Sequence, residues 1–148
     1  SVQAGVSRLS LGRGSTYTNF VLSAEVTLNV GDPSAVNGCG VFLRGVDDTQ
    51  YVLAYVDQTG GYALAARDGE GFLPGVFGER ADIGTGEHHL LITAHDDELH
   101  YYIDGGYVGS IMSEAVTGTV GNAVVNYEPN LTVCSFQNTW VWSWDEAS

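Results

Sequence analysis

The sequence contains no lysine. Its five basic residues are all arginine (Arg8, Arg13, Arg44, Arg67 and Arg80), set against 18 acidic residues for a net charge of −13. A chain this acidic repels phosphate backbones and anionic lipid surfaces, so nucleic acid and membrane are excluded as partners in favour of neutral ligands, cations or a neutral polymer. Long hydrophobic runs are missing too; none approaches the ~20 residues of a membrane helix. Cysteine occurs only twice, at Cys39 and Cys134 and without a CxxC spacing, which excludes a zinc site built from thiolates. Nothing resembles a signal peptide, and the chain opens on Ser1 rather than Met, as either a mature form or an excised segment does. No stretch carries a convincing helical period, and no segment repeats.

What is present points to strands. Glycine is abundant at 20 residues, tyrosine recurs eight times, and methionine appears once; that mix favours strands and tight turns. At 148 residues the expectation is one domain, 1–148, with a substantial core.

Residues 38–57, GCGVFLRGVDDTQYVLAYVD, read as a hairpin: 39–44 outward, 45–50 turning, 51–57 returning. Pairing Arg44 with Tyr51 puts Cys39, Val41, Leu43, Val52, Ala54 and Val56 on one apolar face. Phe42, Arg44, Tyr51, Leu53 and Tyr55 take the other, because side chains alternate along a strand. The first face is expected to be core and the second a surface able to hold a ligand.

Residues 88–104, HHLLITAHDDELHYYID, give the clearest hairpin. A two-residue turn at Asp96-Asp97 pairs His95 with Glu98 and gathers Leu90, Ile92, Ala94, Leu99, Tyr101 and Ile103 on one face. Asp104-Gly105-Gly106 then turns the chain into a strand at 107–111. Residues 20–30 form a further strand with Phe20, Leu22, Ala24, Val26 and Leu28 turned inward. Strands are also expected at 7–11, 62–67, 118–127 and 131–144, and the long stretch 68–86 is either a surface strand pair with poor signals or a functional loop. Short strands at regular spacing with glycine-rich turns predict an all-β, two-sheet antiparallel jelly-roll sandwich.

The ordered motifs TNFVLSAEVTL, GCGVFLR, QYVLAYV, HHLLITAHDDELHYYIDG, GTVG and VCSFQN resemble the concanavalin A-like lectin/glucanase superfamily. The nearest branch is the laminin G-like and 3-keto-disaccharide hydrolase-like one. The resemblance runs from about Tyr17 to Val141 and implies a concanavalin A-like sandwich. Members of that superfamily bind glycans, hydrolyse them or mediate protein contacts.

Chemistry narrows these options. The glucanases of the superfamily carry E-x-D-x-x-E on one strand, which supplies a retaining acid and nucleophile. That triplet is absent, so no catalytic residue is assigned; a keto-disaccharide type of hydrolase stays open. The four histidines, His88, His89, His95 and His100, all lie in one hairpin. His95 and His100 are diagonal neighbours in this register and His89 faces Asp104; two histidines with Glu98 are either a metal set or part of a solvated polar face. Asp47, Asp48, Asp96 and Asp97 sit in turns. The resemblance implies calcium there, since hard cations take such oxygens, although aspartate is also a favoured turn residue. Cys39 and Cys134 are either a disulfide, which belongs to an oxidising compartment, or two buried thiols. Asn130-Leu131-Thr132 fits the glycosylation pattern.

The best binding signal is aromatic. Trp140, Trp142 and Trp144 alternate in NTWVWSW and share one face of an unbroken strand. With Arg44, Tyr51 and Tyr55 they supply what a sugar site uses: rings for apolar sugar faces, and a few polar groups for orientation. The alternative is a tryptophan-rich strand buried between sheets, the commoner fate of so large a ring. The expected function is therefore a non-catalytic, extracellular carbohydrate-binding or adhesion module with a glycan or neutral polymer as partner. A second reading is a self-assembling structural subunit using Trp142 and Trp144 as contact hot spots.

Overall fold

The computed structural model describes residues 5–10, 16–30, 37–47, 50–57, 60–68, 71–73, 75–79, 86–113, 117–126 and 132–143, and these contain strands and turns without a helix. The strands are β1 (Gly5–Ser10), β2 (Phe20–Val30), β3 (Asn37–Asp47), β4 (Gln50–Asp57), β5 (Gly61–Asp68), β6 (Gly71–Phe72), β7 (Val76–Glu79), β8 (Gly86–His95), β9 (Glu98–Ile103), β10 (Gly106–Met112), β11 (Thr119–Asn126) and β12 (Thr132–Ser143). All pair antiparallel in two sheets. One runs β1-β11-β3-β4-β5, with β6 and β7 sharing the outer edge of β5; the other runs β10-β9-β8-β2-β12. This is the all-β jelly-roll sandwich that the strand spacing predicts.

The apolar faces read from the alternation meet between the sheets. Phe20, Leu22, Ala24 and Val26 of β2, and Leu90, Ile92 and Ala94 of β8, pack with Cys39, Val41 and Leu43 of β3 and Val52, Ala54 and Val56 of β4. The β8–β9 register is the predicted one, with His95 opposite Glu98 and Leu90 opposite Ile103. At the β9–β10 turn Asp104 and Gly105 both take positive φ, 50° and 84°, the backbone that lets a two-residue loop follow the strand twist. A disulfide joins Cys39 of β3 to Cys134 of β12 with the Cα atoms 5.8 Å apart. It ties one sheet to the other.

Within 68–86 short surface strands do form, because β6 and β7 pair with the two ends of β5. Two features differ from the sequence reading. The β3–β4 ladder is regular up to Leu43 opposite Val52, then slips before Asp47 pairs with Gln50. Such a bulge re-aims the side chains beyond it, and Arg44 sits in it at φ 53°. Finally, the second face of β3 and β4 is not an open surface. Phe42, Tyr51 and Leu53 form a second buried cluster with Ala123 of β11, and Tyr55 packs against it.

Candidate functional site

Arg44 shows what the bulge does. An unbroken strand would aim it outward beside Phe42; instead it is 1 % exposed. Its guanidinium donates to the carbonyls of Tyr17 at 3.1 Å and Thr18 at 2.8 Å, and to that of Asp96. It also lies over the Phe20 ring, 5.5 Å from the centroid. Arg44 thus fastens the β3 bulge to the lead-in of β2 and to the β8–β9 turn. Gly118 leaves room for it: a Cβ there would stand 2.4 Å from the Arg44 carbonyl carbon.

The bulge opens a cavity of about 260 Å³ at this end of the molecule. Its walls come from Arg44, Val46, Gln50 and Tyr51 on the β3–β4 side, Arg67 and Leu73 from β5 and just after β6, and Met112 and Ser113 at the end of β10. Arg67 stands directly opposite Tyr51 in the β4–β5 register. It donates to the Tyr51 hydroxyl at 2.9 Å, with its guanidinium 5.7 Å from the ring centroid. Tyr51 is fixed in turn edge-on to Phe42, at a centroid distance of 6.5 Å. The Leu73 N–H donates to Ala66 O and the Ser113 N–H to Asp97 O, both at 2.8 Å, so the two lips are tied to neighbouring strands. Val46, Leu73 and Met112 are exposed. The result is a pocket with hydrogen-bonding groups in its wall and apolar side chains at its rim. Tools of that kind bind a small ligand having both apolar and hydroxylated faces.

Arg44 and Tyr51 therefore line one pocket, while Tyr55 lies away from it. The Tyr55 ring rests on the backbone of β3: a Cβ on Gly38 would meet its Cδ2 at 2.8 Å, and one on Gly40 its Cβ at 2.7 Å. Burial, reinforced by the negative charge of Asp57, pushes the Tyr55 phenol up to about 12. Tyr101, which donates to the Tyr55 carbonyl at 3.3 Å, is pushed well above the usual range by burial, with Tyr55 and Asp104 adding to it.

Trp140 and Trp142 lie on the opposite sheet. They pair with Ser23 and Val21 of β2 and project from its outer face, 46 % and 67 % exposed. The burial expected of such rings is not what the fold provides. β12 is an edge strand, and both rings are exposed on its outer face. Trp144 lies outside the described residues, as does Asn130.

Three of the four turn aspartates lie among the described residues. Asp47 ends β3, Asp96 and Asp97 are exposed in the β8–β9 turn, and Asp48 is outside the described residues. Among the described residues no group of three or more His, Cys, Asp or Glu side chains lies together. The histidines disperse as well. His88 is buried, with Nδ1 2.8 Å from Asp104 Oδ2, and His89 Nε2 is hydrogen-bonded to Ser23 Oγ at 2.6 Å.

Sequence reading missed Arg67, Gln50, Leu73, Met112 and Ser113 as pocket residues. The turn at 58–61 carried a usable signal, since folding β5 back on β4 there puts Arg67 opposite Tyr51. Met112 and Ser113 carried none, because their approach depends on how the two sheets close.

No protein-family model and no curated protein matches the sequence. Solved structures do match its fold. The chain is similar to carbohydrate-binding module CBM66 from Bacillus subtilis, with a TM-score of 0.77 at 18 % identity over 95 % of this chain and 83 % of that one. It is similar to a double variant of human galectin-16, with a TM-score of 0.61 at 11 % identity over 94 % of each chain. It also resembles part of GH43B of the Bacteroides ovatus xyloglucan PUL, with a TM-score of 0.62 at 15 % identity over 80 % of this chain and 26 % of that one. At such identities the likeness is one of fold.

Proposed function

We propose that this chain is a non-catalytic carbohydrate-binding module acting outside the cytoplasm, and that it takes the end of a neutral glycan into the pocket between the β3–β4 bulge and β10. The observation that carries this reading is the pocket's composition. Arg67, Gln50 and Tyr51 offer hydrogen bonds, while Val46, Leu73 and Met112 offer apolar contact around about 260 Å³. A sugar ring has hydroxyls at its rim and C–H faces above and below, and needs both kinds of partner. The fold shared with a module named for carbohydrate binding supports the class of ligand. The net charge of −13 favours a neutral glycan over a sulfated or uronic one. The disulfide supports an oxidising compartment. The order of the sequence motifs supports the laminin G-like branch of the superfamily.

Calorimetric titration with a panel of neutral mono- and oligosaccharides tests the proposal. Binding of at least one sugar is expected, with Arg67→Ala and Gln50→Ala each weakening it about tenfold, the loss of one good polar contact. A flat response to the whole panel, or variants that bind like the wild type, would overturn it.

A further inference from the structure

The outer face of the β10-β9-β8-β2-β12 sheet carries a second arrangement, built from exposed rings. The registers align one row straight across it: Tyr107, Tyr102, Leu91, Ser23 and Trp140 are successive cross-strand partners. The next row holds Trp142, Val21, Thr93, His100 and Ser110. The aromatic residues fall into two banks. At the β12 edge stand Trp140 and Trp142. At the other edge Tyr107 is 57 % exposed, with its centroid 5.4 Å from Tyr102 and 6.0 Å from His100. Between the banks the floor is low, built from half-buried Val21, Leu91 and Thr93, with Ser23 buried beneath. Strands ~4.8 Å apart put Tyr102 and Trp140, three strands from each other, ~14 Å apart.

Large rings left open on a sheet face mark a contact surface. The choice of occupant follows from charge and polarity. A second copy would bring another −13 of charge to the same face, which opposes self-association, and an anionic polymer is repelled in the same way. The face is also not a continuous apolar patch. His89 with Ser23, and Asn138 with Glu25 at 2.9 Å, set hydrogen-bonding groups beside the rings. Rings at two edges with short side chains between them suit a chain of several sugar rings lying across the strands, stacked at both ends.

We propose that this face is a second carbohydrate surface, separate from the pocket, which binds the interior of a neutral polysaccharide chain through Trp140 and Trp142 on one bank and Tyr102 and Tyr107 on the other. It does not rest on the pocket reading. A polymer laid across an open trough is held by its length, whereas a pocket holds an end.

Native gel electrophoresis through soluble neutral polysaccharides (xyloglucan, mixed-linkage β-glucan, dextran and levan) tests it, with tryptophan emission recorded alongside. Retardation by at least one polymer is expected, accompanied by a change in tryptophan emission. Trp142→Ala and Tyr107→Ala should each weaken retardation about tenfold, as loss of a stacking ring does. The pocket variant Arg67→Ala should retain it. Because both rings are exposed, the two variants should unfold at the wild-type temperature, which separates lost binding from lost folding. No retardation by any of these polymers, or Trp142→Ala migrating like the wild type, overturns the proposal. So does a dimer on sizing that Trp142→Ala dissolves, since the face would then meet a second copy. Failure of the pocket reading appears separately, as loss of the calorimetric response to short sugars with polymer retardation intact.

Discussion

Arg44 is the residue on which this end of the sandwich turns. It takes φ 53°, a conformation that costs a non-glycine residue ~1–2 kcal/mol. The return is a planar fork that reaches carbonyls on two other segments at once, those of Tyr17 and Thr18 before β2 and of Asp96 in the β8–β9 turn. Methionine matches its length but donates nothing, so Arg44→Met leaves those carbonyls without their donor. Removal of hydrogen bonds to a charged, buried group costs ~3 kcal/mol, which for a chain of this size lowers the melting temperature by ~6–12 °C. Arg44→Lys should recover little, because an ammonium lacks the fork geometry. Thermal unfolding by circular dichroism reads both, and a lysine variant as stable as the wild type would refute the fork argument.

Two tyrosines make a second prediction at the same scale. Tyr55 is pushed up to about 12 and Tyr101 well above its ordinary value. In the unfolded chain both ionise near their usual pKa of ~10. Above that pH the unfolded state has released protons that the native state still holds, so stability falls as pH rises. Below pH ~10 the contribution is fully present; it drains away toward 12. Denaturant midpoints measured from pH 9 to 12 should decline over that window, and Tyr55→Phe should flatten the decline. Spectrophotometric titration should show late phenols ionising only together with unfolding.

At the level of strands, the β3–β4 hairpin depends on close approach. Gly40 stands opposite Tyr55 in the register, and a Cβ there would fall 2.0 Å from the carbonyl oxygen of Ala54. Backbone cannot yield that much without breaking the ladder, so Gly40→Ala should cost ~3 kcal/mol, the upper range for overpacking. Accelerated amide exchange along β3 and β4 would localise the damage, and unchanged exchange would contradict it. The same hairpin shows what the sequence could reveal. Its core face was legible because alternation at period two is imposed by the pleat itself, and the same holds for β2, β8 and β9. The slip after Leu43 was not legible, since nothing in the residues around Arg44 distinguishes a bulge from a simple turn. β6 and β7 were hidden for a different reason: each pairs on one side only and shows no apolar alternation. Trp140 and Trp142 could be placed on one face, but not opposite Tyr102 and Tyr107. That requires the strand order β10-β9-β8-β2-β12, which is a property of the sheet and of no single strand.

At the scale of the whole molecule, the proposed pocket depends on the two sheets keeping their positions. The pocket takes walls from both sheets, and one of the covalent constraints on their relation is the Cys39–Cys134 bond across 95 residues of sequence. In the chain-entropy account, closing a loop of that length removes ~4–5 kcal/mol of freedom from the unfolded state, and typical measured values are ~2–4 kcal/mol. Losing the cross-link should therefore lower the urea midpoint and reduce stability by ~3 kcal/mol. The urea dependence should steepen as well, because an unfolded chain without the cross-link exposes more surface. Since Cys39 is buried against Val41 and Val56 in the common core, replacing both cysteines with serine adds the cost of burying a hydroxyl there, ~1–3 kcal/mol. Cys39→Ala with Cys134→Ser removes that term, and comparing the two double variants separates the cross-link from the polarity change. If the alanine-containing variant retains the wild-type midpoint, the core alone holds the sheets together. If it loses ~3 kcal/mol while its sugar affinity at low temperature is unchanged, the bond sets how long the native arrangement survives rather than what that arrangement is.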